Sequence, residues 1–118
     1  DARTDVPELM KIADCLLLTS GVESFGICII EAFAAGIPVV ASDVDGVKEI
    51  AKSGENAILT EAGKPDQICE ALRTLRMEKD LRVKIIENAK KRADDFNIIK
   101  IADKTELFYE KICSHPNH

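Results

Sequence analysis

The sequence predicts an α/β fold, a parallel sheet flanked by helices and ending in several amphipathic helices. Three observations predict it. Short unbroken apolar runs have strand length, helical stretches separate them, and beyond Gly63 apolar residues recur only at helical spacing. A length of 118 residues with 46% apolar content suits one compact domain over 1–118.

The first element is a short helix. Asp5-Val6-Pro7-Glu8 reads as its start, with Asp5 or Val6 near the cap and Pro7 in the first turn. Leu9, Ile12 and Ala13 then share one face, and the helix ends at about Ala13. The run at 15–19, Cys-Leu-Leu-Leu-Thr, is apolar throughout, as expected of a strand covered on both faces by helices. Runs at 38–42 and 57–60 give a second and a third strand. Helices at 26–35, beginning close to Phe25 and stopping before Gly36, and at 47–51 join the strands, which makes them parallel with right-handed crossovers.

After Gly63, Pro65 opens a helix carrying Ile68, Leu72 and Leu75. A second helix presents Leu81, Ile85, Ile86, Ala89 and Ala93, and a third presents Ile98, Ile101, Ala102, Thr105, Tyr109 and Ile112. Apolar stripes at this spacing are core faces rather than cofactor boxes. Three strands fall short of the usual sheet of about five or six, so one sheet edge is expected to lack a partner.

Charge and composition exclude several function classes. Sixteen Lys and Arg against 21 Asp and Glu give a net charge of -5, whereas nucleic acid is met by basic surfaces. No apolar run approaches the roughly 20 residues needed to cross a bilayer, and the amino end lacks a signal-peptide pattern. A cytoplasmic location is expected. Cys15, Cys28, Cys69 and Cys113 form no C-x-x-C pair, which indicates neither a zinc site nor a redox motif. Cys15 and Cys28 lie in apolar runs, where free cysteine acts as a small buried hydrophobe. His115-Pro116-Asn117-His118 reads as a polar tail. The sequence opens on Asp1-Ala2-Arg3 with its first pattern in mid-stride, which suggests a piece of a longer polypeptide.

The chemistry concentrates at 20–36, Ser-Gly-Val-Glu-Ser-Phe-Gly-Ile-Cys-Ile-Ile-Glu-Ala-Phe-Ala-Ala-Gly. This stretch leaves a strand at its carboxyl end and enters a helix at its amino end, where open α/β sheets bind ligands. Unpaired N–H groups and about half a positive charge make a helix amino end a place for phosphate. Glycine at 26 allows a ligand close to the backbone, or makes an ordinary tight turn. The helix is apolar nearly all round, so Glu31 is expected to be a buried carboxylate in need of a partner. Two neighbouring ribose hydroxyls, or a Lys or Arg from elsewhere in the fold, would each satisfy it, and spacing leaves both open. Glu23 is either a solvated, helix-flanking acid or a ligand contact.

Residues 13–20, Ala-Asp-Cys-Leu-Leu-Leu-Thr-Ser, then 23–32, Glu-Ser-Phe-Gly-Ile-Cys-Ile-Ile-Glu-Ala, then 34–43, Ala-Ala-Gly-Ile-Pro-Val-Val-Ala-Ser-Asp, resemble the carboxyl-terminal domain of glycosyltransferase family 4. The signature is two Glu separated by seven residues, with Phe-Gly after the first and Ala-x-Ala-x-Gly-x-Pro-Val-Val after the second. The likeness continues through 46–49, 54–59, Pro65 and the Asp95-Phe96-Asn97 turn, and covers essentially the whole chain.

The resemblance implies the Rossmann-like carboxyl-terminal half of a GT-B fold, gripping a nucleotide-diphospho-sugar donor. Glu23, the residue it assigns to catalysis, would hold hydroxyls of the donor sugar. Ser24 belongs to the same binding loop, the N–H groups of Phe25, Gly26 and Ile27 would meet sugar and diphosphate, and Glu31 would bind the ribose. The implied reaction retains the anomeric configuration and needs no metal or other cofactor. An acceptor-binding domain, and basic residues for the diphosphate, would lie upstream of this chain. Any membrane contact would be peripheral and made through that missing domain, and this chain alone would transfer no sugar. Ser24 stands where the family often has Gly, and Asp45 and Lys48 replace a Gly and a Pro, which blurs the identity of the sugar.

Three rivals come from other classes. Residues 39–47, Val-Val-Ala-Ser-Asp-Val-Asp-Gly-Val, resemble the first motif of haloacid-dehalogenase-type phosphatases, but Asp94-Asp95 ends a helical stripe where that chemistry needs a strand. A GT-B sugar-nucleotide epimerase would want a His at the cleft, and none lies near these loops. A nucleotide-sugar-binding module without turnover would need nothing beyond the donor grip.

Overall fold

The computed structural model describes residues 4–97; the third amphipathic stripe, Cys113 and the His-containing tail lie outside the described residues. Three strands, β1 (Leu16–Leu18), β2 (Val39–Ser42) and β3 (Ile58–Thr60), form one parallel sheet in the order β1-β2-β3. Val40 is the Cα partner of Leu17 on one side and of Ile58 on the other. Five helices accompany it: α1 (Val6–Ile12), α2 (Ile27–Ala35), α3 (Asp45–Lys48), α4 (Pro65–Met77) and α5 (Lys79–Asp94).

The sheet and helices match the expectation, with strands shorter than the apolar runs that announce them. β2 alone is buried along its whole length. Its side chains alternate between two cores, as the two-residue period of a strand requires. Val39 and Ala41 join Ile29, Phe33, Val47 and Ile50 under α2 and α3. Val40 joins Ala71, Leu75 and Ile85 on the other side, where α4 packs on β2 and β3. α5 serves both cores, placing Ile85 in one and Ala89 in the other.

Three expectations are corrected. β1 is not covered on both faces: Leu16 and Leu18 pack on the α2 core, while Leu17 between them is 45% exposed. α1 turns Val6 and Met10 inward, residues four apart on one face, and leaves Leu9 and Ile12 exposed. The second connection is helical earlier than the expected 47–51, because Lys48 N–H already bonds to the Val44 carbonyl at 3.1 Å. Two further turns, from Ile50 and Ala51 N–H to the Val47 carbonyl, carry the coil on towards residue 51.

Gly36 ends α2 as a left-handed cap at φ 75°, its N–H reaching the Ala32 and Phe33 carbonyls, a conformation for which glycine is the ordinary residue. No helix among the described residues is long and apolar enough to cross a membrane. Cys15 and Cys28 pack against the two cores but are half-buried rather than fully so. Burial pushes both thiols up from their ordinary pKa, and the Glu23 carboxylate adds to the effect at Cys28.

Candidate functional site

Loop 19–26 runs from the carboxyl end of β1 to the amino end of α2, where Gly26 is the N-cap. The Gly26 carbonyl closes the first turn, accepting from Ile29 N–H at 2.9 Å and Ile30 N–H at 3.4 Å. A Cβ on Gly26 would lie 2.8 Å from Ile29 Cδ1, so the buried glycine lets the loop settle onto its own helix. That packing role stands beside the expected one of leaving the backbone open to a ligand.

Ile27 differs from its neighbours. Its N–H already donates to the Phe25 carbonyl at 2.9 Å, while no described group accepts from the N–H of Phe25 or Gly26. Two donors without a described acceptor, on exposed Phe25 and buried Gly26, thus sit at the amino end of a nine-residue helix, at the positive pole of its dipole. Glu23 is half-buried beside them, Ser24, Phe25 and Ile27 are exposed, and the six expected site residues lie within the loop and the first turns of α2.

Glu31 corrects the expectation of burial. α2 buries Ile29, Ala32 and Phe33 against the sheet, and Glu31 projects from another side, exposed. Hydropathy measured how apolar the helix is, and not which side of it other elements cover. Glu31 instead borders a groove of about 510 Å³ between α1 and α2, lined by Val6, Met10, Lys11 and Ala34 among others. No described cation lies within ion-pair distance of it, so among the described residues neither burial nor a salt bridge holds it.

The loop is braced from two directions that the sequence did not announce. Gly46, in α3, sits against the backbone of Glu23 and Ser24 so closely that an added Cβ would overlap the Glu23 carbonyl oxygen. On another side the Phe25 ring meets Phe96, over which Arg92 lies. A glycine at the second position of a helix, where Ala is the better helix former, is the one signal that could have pointed to Gly46.

The phosphatase rival finds no support in the geometry. Lys48 Nζ stands 3.7 Å from Asp43 and 3.8 Å from Asp45, all three exposed, and Asp94 and Asp95 end and cap α5 rather than follow a strand. Among the described residues no group of three or more His, Cys, Asp or Glu could hold a metal ion.

A parallel sheet flanked by helices, with the strand–loop–helix junction at the carboxyl end of β1, defines an α/β domain of the Rossmann-like kind. The chain belongs to the family described as glycosyl transferases group 1, whose model matches residues 1–92. It is 35% identical over 103 residues to the lipopolysaccharide glucosyltransferase WaaG of Escherichia coli strain K12, covering 86% of this chain and 28% of that protein. It is 30% identical over 106 residues to N-acetyl-alpha-D-glucosaminyl L-malate synthase of Bacillus anthracis, covering 89% of this chain and 28% of the relative. Among solved structures, Anabaena Alr3699/HepE in complex with UDP superposes with a TM-score of 0.85 at 29% identity, over 93% of this chain and 31% of that one. The same protein is also solved in complex with UDP-glucose. The chain therefore spans less than a third of the length of these relatives.

Proposed function

We propose that this chain is the donor-binding part of a retaining glycosyltransferase, which moves a sugar from a nucleotide-diphospho-sugar to an acceptor. One observation carries the reading: the N–H groups of Phe25 and Gly26, without a described acceptor, at the amino end of α2, with Glu23 before them and Glu31 in the second turn of the helix. It is supported by family membership and by the UDP and UDP-glucose complexes of the Anabaena relative.

In this reading the diphosphate lies at the helix end, where the dipole and the two N–H groups oppose its charge without a lysine. As the bond from the anomeric carbon to the diphosphate breaks, negative charge grows on the leaving oxygen, and fixed donors aimed there lower the barrier. Glu23 accepts hydrogen bonds from hydroxyls of the donor sugar and so holds the anomeric carbon in place. Ser24 stands beside it in the same loop. Glu31 accepts from the 2′ and 3′ hydroxyls of ribose, and its exposure leaves it hydrated until the nucleotide arrives. Ile27 contributes through its exposed side chain rather than its N–H, which Phe25 already engages.

Acceptor binding, and the cations that would share the diphosphate charge, belong in this reading to parts of the protein outside this chain. It includes a cytoplasmic location, with any membrane contact peripheral and made through the acceptor-binding part. The test is a calorimetric titration of the intact protein with UDP, UDP-glucose and other sugar nucleotides, followed by proton NMR of the first product formed. Binding with retained anomeric configuration is expected. Binding without transfer to any acceptor would reduce the chain to a sugar-nucleotide-binding module, an inverted product would overturn retention, and no nucleotide binding at all would overturn the donor reading.

A further inference from the structure

Gly46 is the second residue of α3 and is buried. A Cβ built on it would overlap the Glu23 carbonyl oxygen and lie 2.7 Å from the Glu23 carbonyl carbon and 2.8 Å from that of Ser24. Real Cβ atoms essentially never approach non-bonded heavy atoms of a distant segment within 3.0 Å. The obstacle is backbone, which cannot rotate aside as the end of a side chain can. Relief would have to come from displacement of either α3 or the loop.

The two partners are not equally free to move. Val47 and Ile50, just beyond Gly46, are fully buried in the core under α2. Asp43 N–H is tied to the Thr60 carbonyl at 2.7 Å, and the carbonyls of Glu49 and Ile50 accept from Arg92 at 2.7 and 3.3 Å. The loop carries Val22 at 87% exposure, with Ser24 and Phe25 exposed as well. A methyl at 46 would therefore shift the loop. Gly46 does not have positive φ, so its own backbone conformation does not demand glycine. Gly21, in the loop itself, would meet nothing within 4 Å if given a Cβ and also lacks positive φ.

We propose that Gly46 is a positioning residue for the donor grip. Without a side chain, it lets the first turn of α3 seat against the Glu23 and Ser24 backbone, and this contact fixes the Glu23 carboxylate relative to the open N–H groups of Phe25 and Gly26. The inference rests on the donor-binding reading given above. It assigns the role to the contact and not to any atom that touches the donor.

The test compares wild type, Gly46→Ala and Gly21→Ala in the intact protein, titrated with UDP-glucose and with UMP, which reaches Glu31 but lacks the sugar and the second phosphate. Gly46→Ala is expected to weaken UDP-glucose by about tenfold or more, as loss of one charge-assisted hydrogen bond does, and to leave UMP affinity unchanged. Gly21→Ala should bind both ligands as wild type does. Amide shifts of residues 23–26 should move in Gly46→Ala and, beyond the direct neighbours of the substituted residue, stay put in Gly21→Ala. Equal weakening of both ligands, unchanged binding of both, or a Gly46→Ala protein that melts as a whole would overturn the inference, the last because the glycine would then hold the domain and not the grip. Failure of the wild type to bind either probe would instead overturn the donor reading, and unmoved loop amides in Gly46→Ala would count against the inference independently of any ligand.

Discussion

The ring of Phe25 meets the ring of Phe96 edge-on, with centroids 6.1 Å apart and planes at 70°. Arg92 lies over the same Phe96 ring, 4.8 Å from its centroid, while donating to the carbonyls of Glu49 and Ile50 and to Asp95. Loop 19–26, the end of α3 and the turn after α5 therefore meet around one aromatic side chain.

Phe96→Ala removes both ring contacts. An edge-to-face pair and a cation–π contact are each worth about 1 kcal/mol beyond the apolar area the ring buries, so a loss of at least about 2 kcal/mol in urea denaturation is expected. Phe96→Leu, which keeps bulk without a ring, should recover less than half of it. In the intact protein both variants should also weaken UDP, since Phe25 loses its brace.

Glu31→Gln tests the ribose contact. The change keeps size and removes charge, and charge-assisted hydrogen bonds contribute roughly 1.5 to 3 kcal/mol each. Affinity for UDP should fall by about one to two orders of magnitude, whereas a 2′,3′-dideoxy analogue should bind both proteins alike. The melting temperature should not move, because the carboxylate is exposed and no described cation pairs with it. A large drop in melting temperature with equal affinities would make Glu31 a structural residue.

The half-buried thiols predict an alkaline weakness. Burial raises the pKa of Cys28, with a further push from Glu23, and burial raises that of Cys15. Because each thiol ionises at higher pH in the folded chain than in the unfolded one, its contribution is fully present below the unfolded value of about 8.5 and is lost as pH rises through the folded value. Urea midpoints from pH 7 to 10 should fall for wild type, and less steeply for Cys28→Ala.

The outer side of β1 has no partner strand among the described residues, and Leu17 upon it is 45% exposed. Such an edge pairs readily with another. Sedimentation of this 118-residue chain alone should show concentration-dependent association, and Leu17→Lys should suppress it. The chain alone should transfer no sugar.

Much of this was legible in the sequence, for physical reasons that differ by element. β2 was visible because a strand buried on both faces is apolar along most of its length, β1 and β3 because they carry short apolar runs of strand length although neither is buried throughout, and Gly36 because a left-handed cap favours glycine. Glu23, Ser24, Phe25 and Gly26 were placed together because they are consecutive. Glu31 was misjudged because apolar content does not say which side of a helix is open, and the inward face of α1 was misjudged for the same reason. Gly46 and the Phe25–Phe96 contact depend on the approach of distant segments, which spacing along one chain does not encode. The engagement of the Ile27 N–H depends on the backbone angles at Gly26, which the residue type leaves free.

The alternation of β2 between two cores governs how the domain comes apart. Val39 and Ala41 belong to one core and Val40 to the other, and β2 is hydrogen-bonded on both sides. Neither core can be opened to water while the other stays closed, since the strand that walls one is also the wall of its neighbour, and α5 spans both. Melting should accordingly be a single cooperative event, seen alike by every probe, and the amides of 39–42 should be among the last to exchange with deuterium.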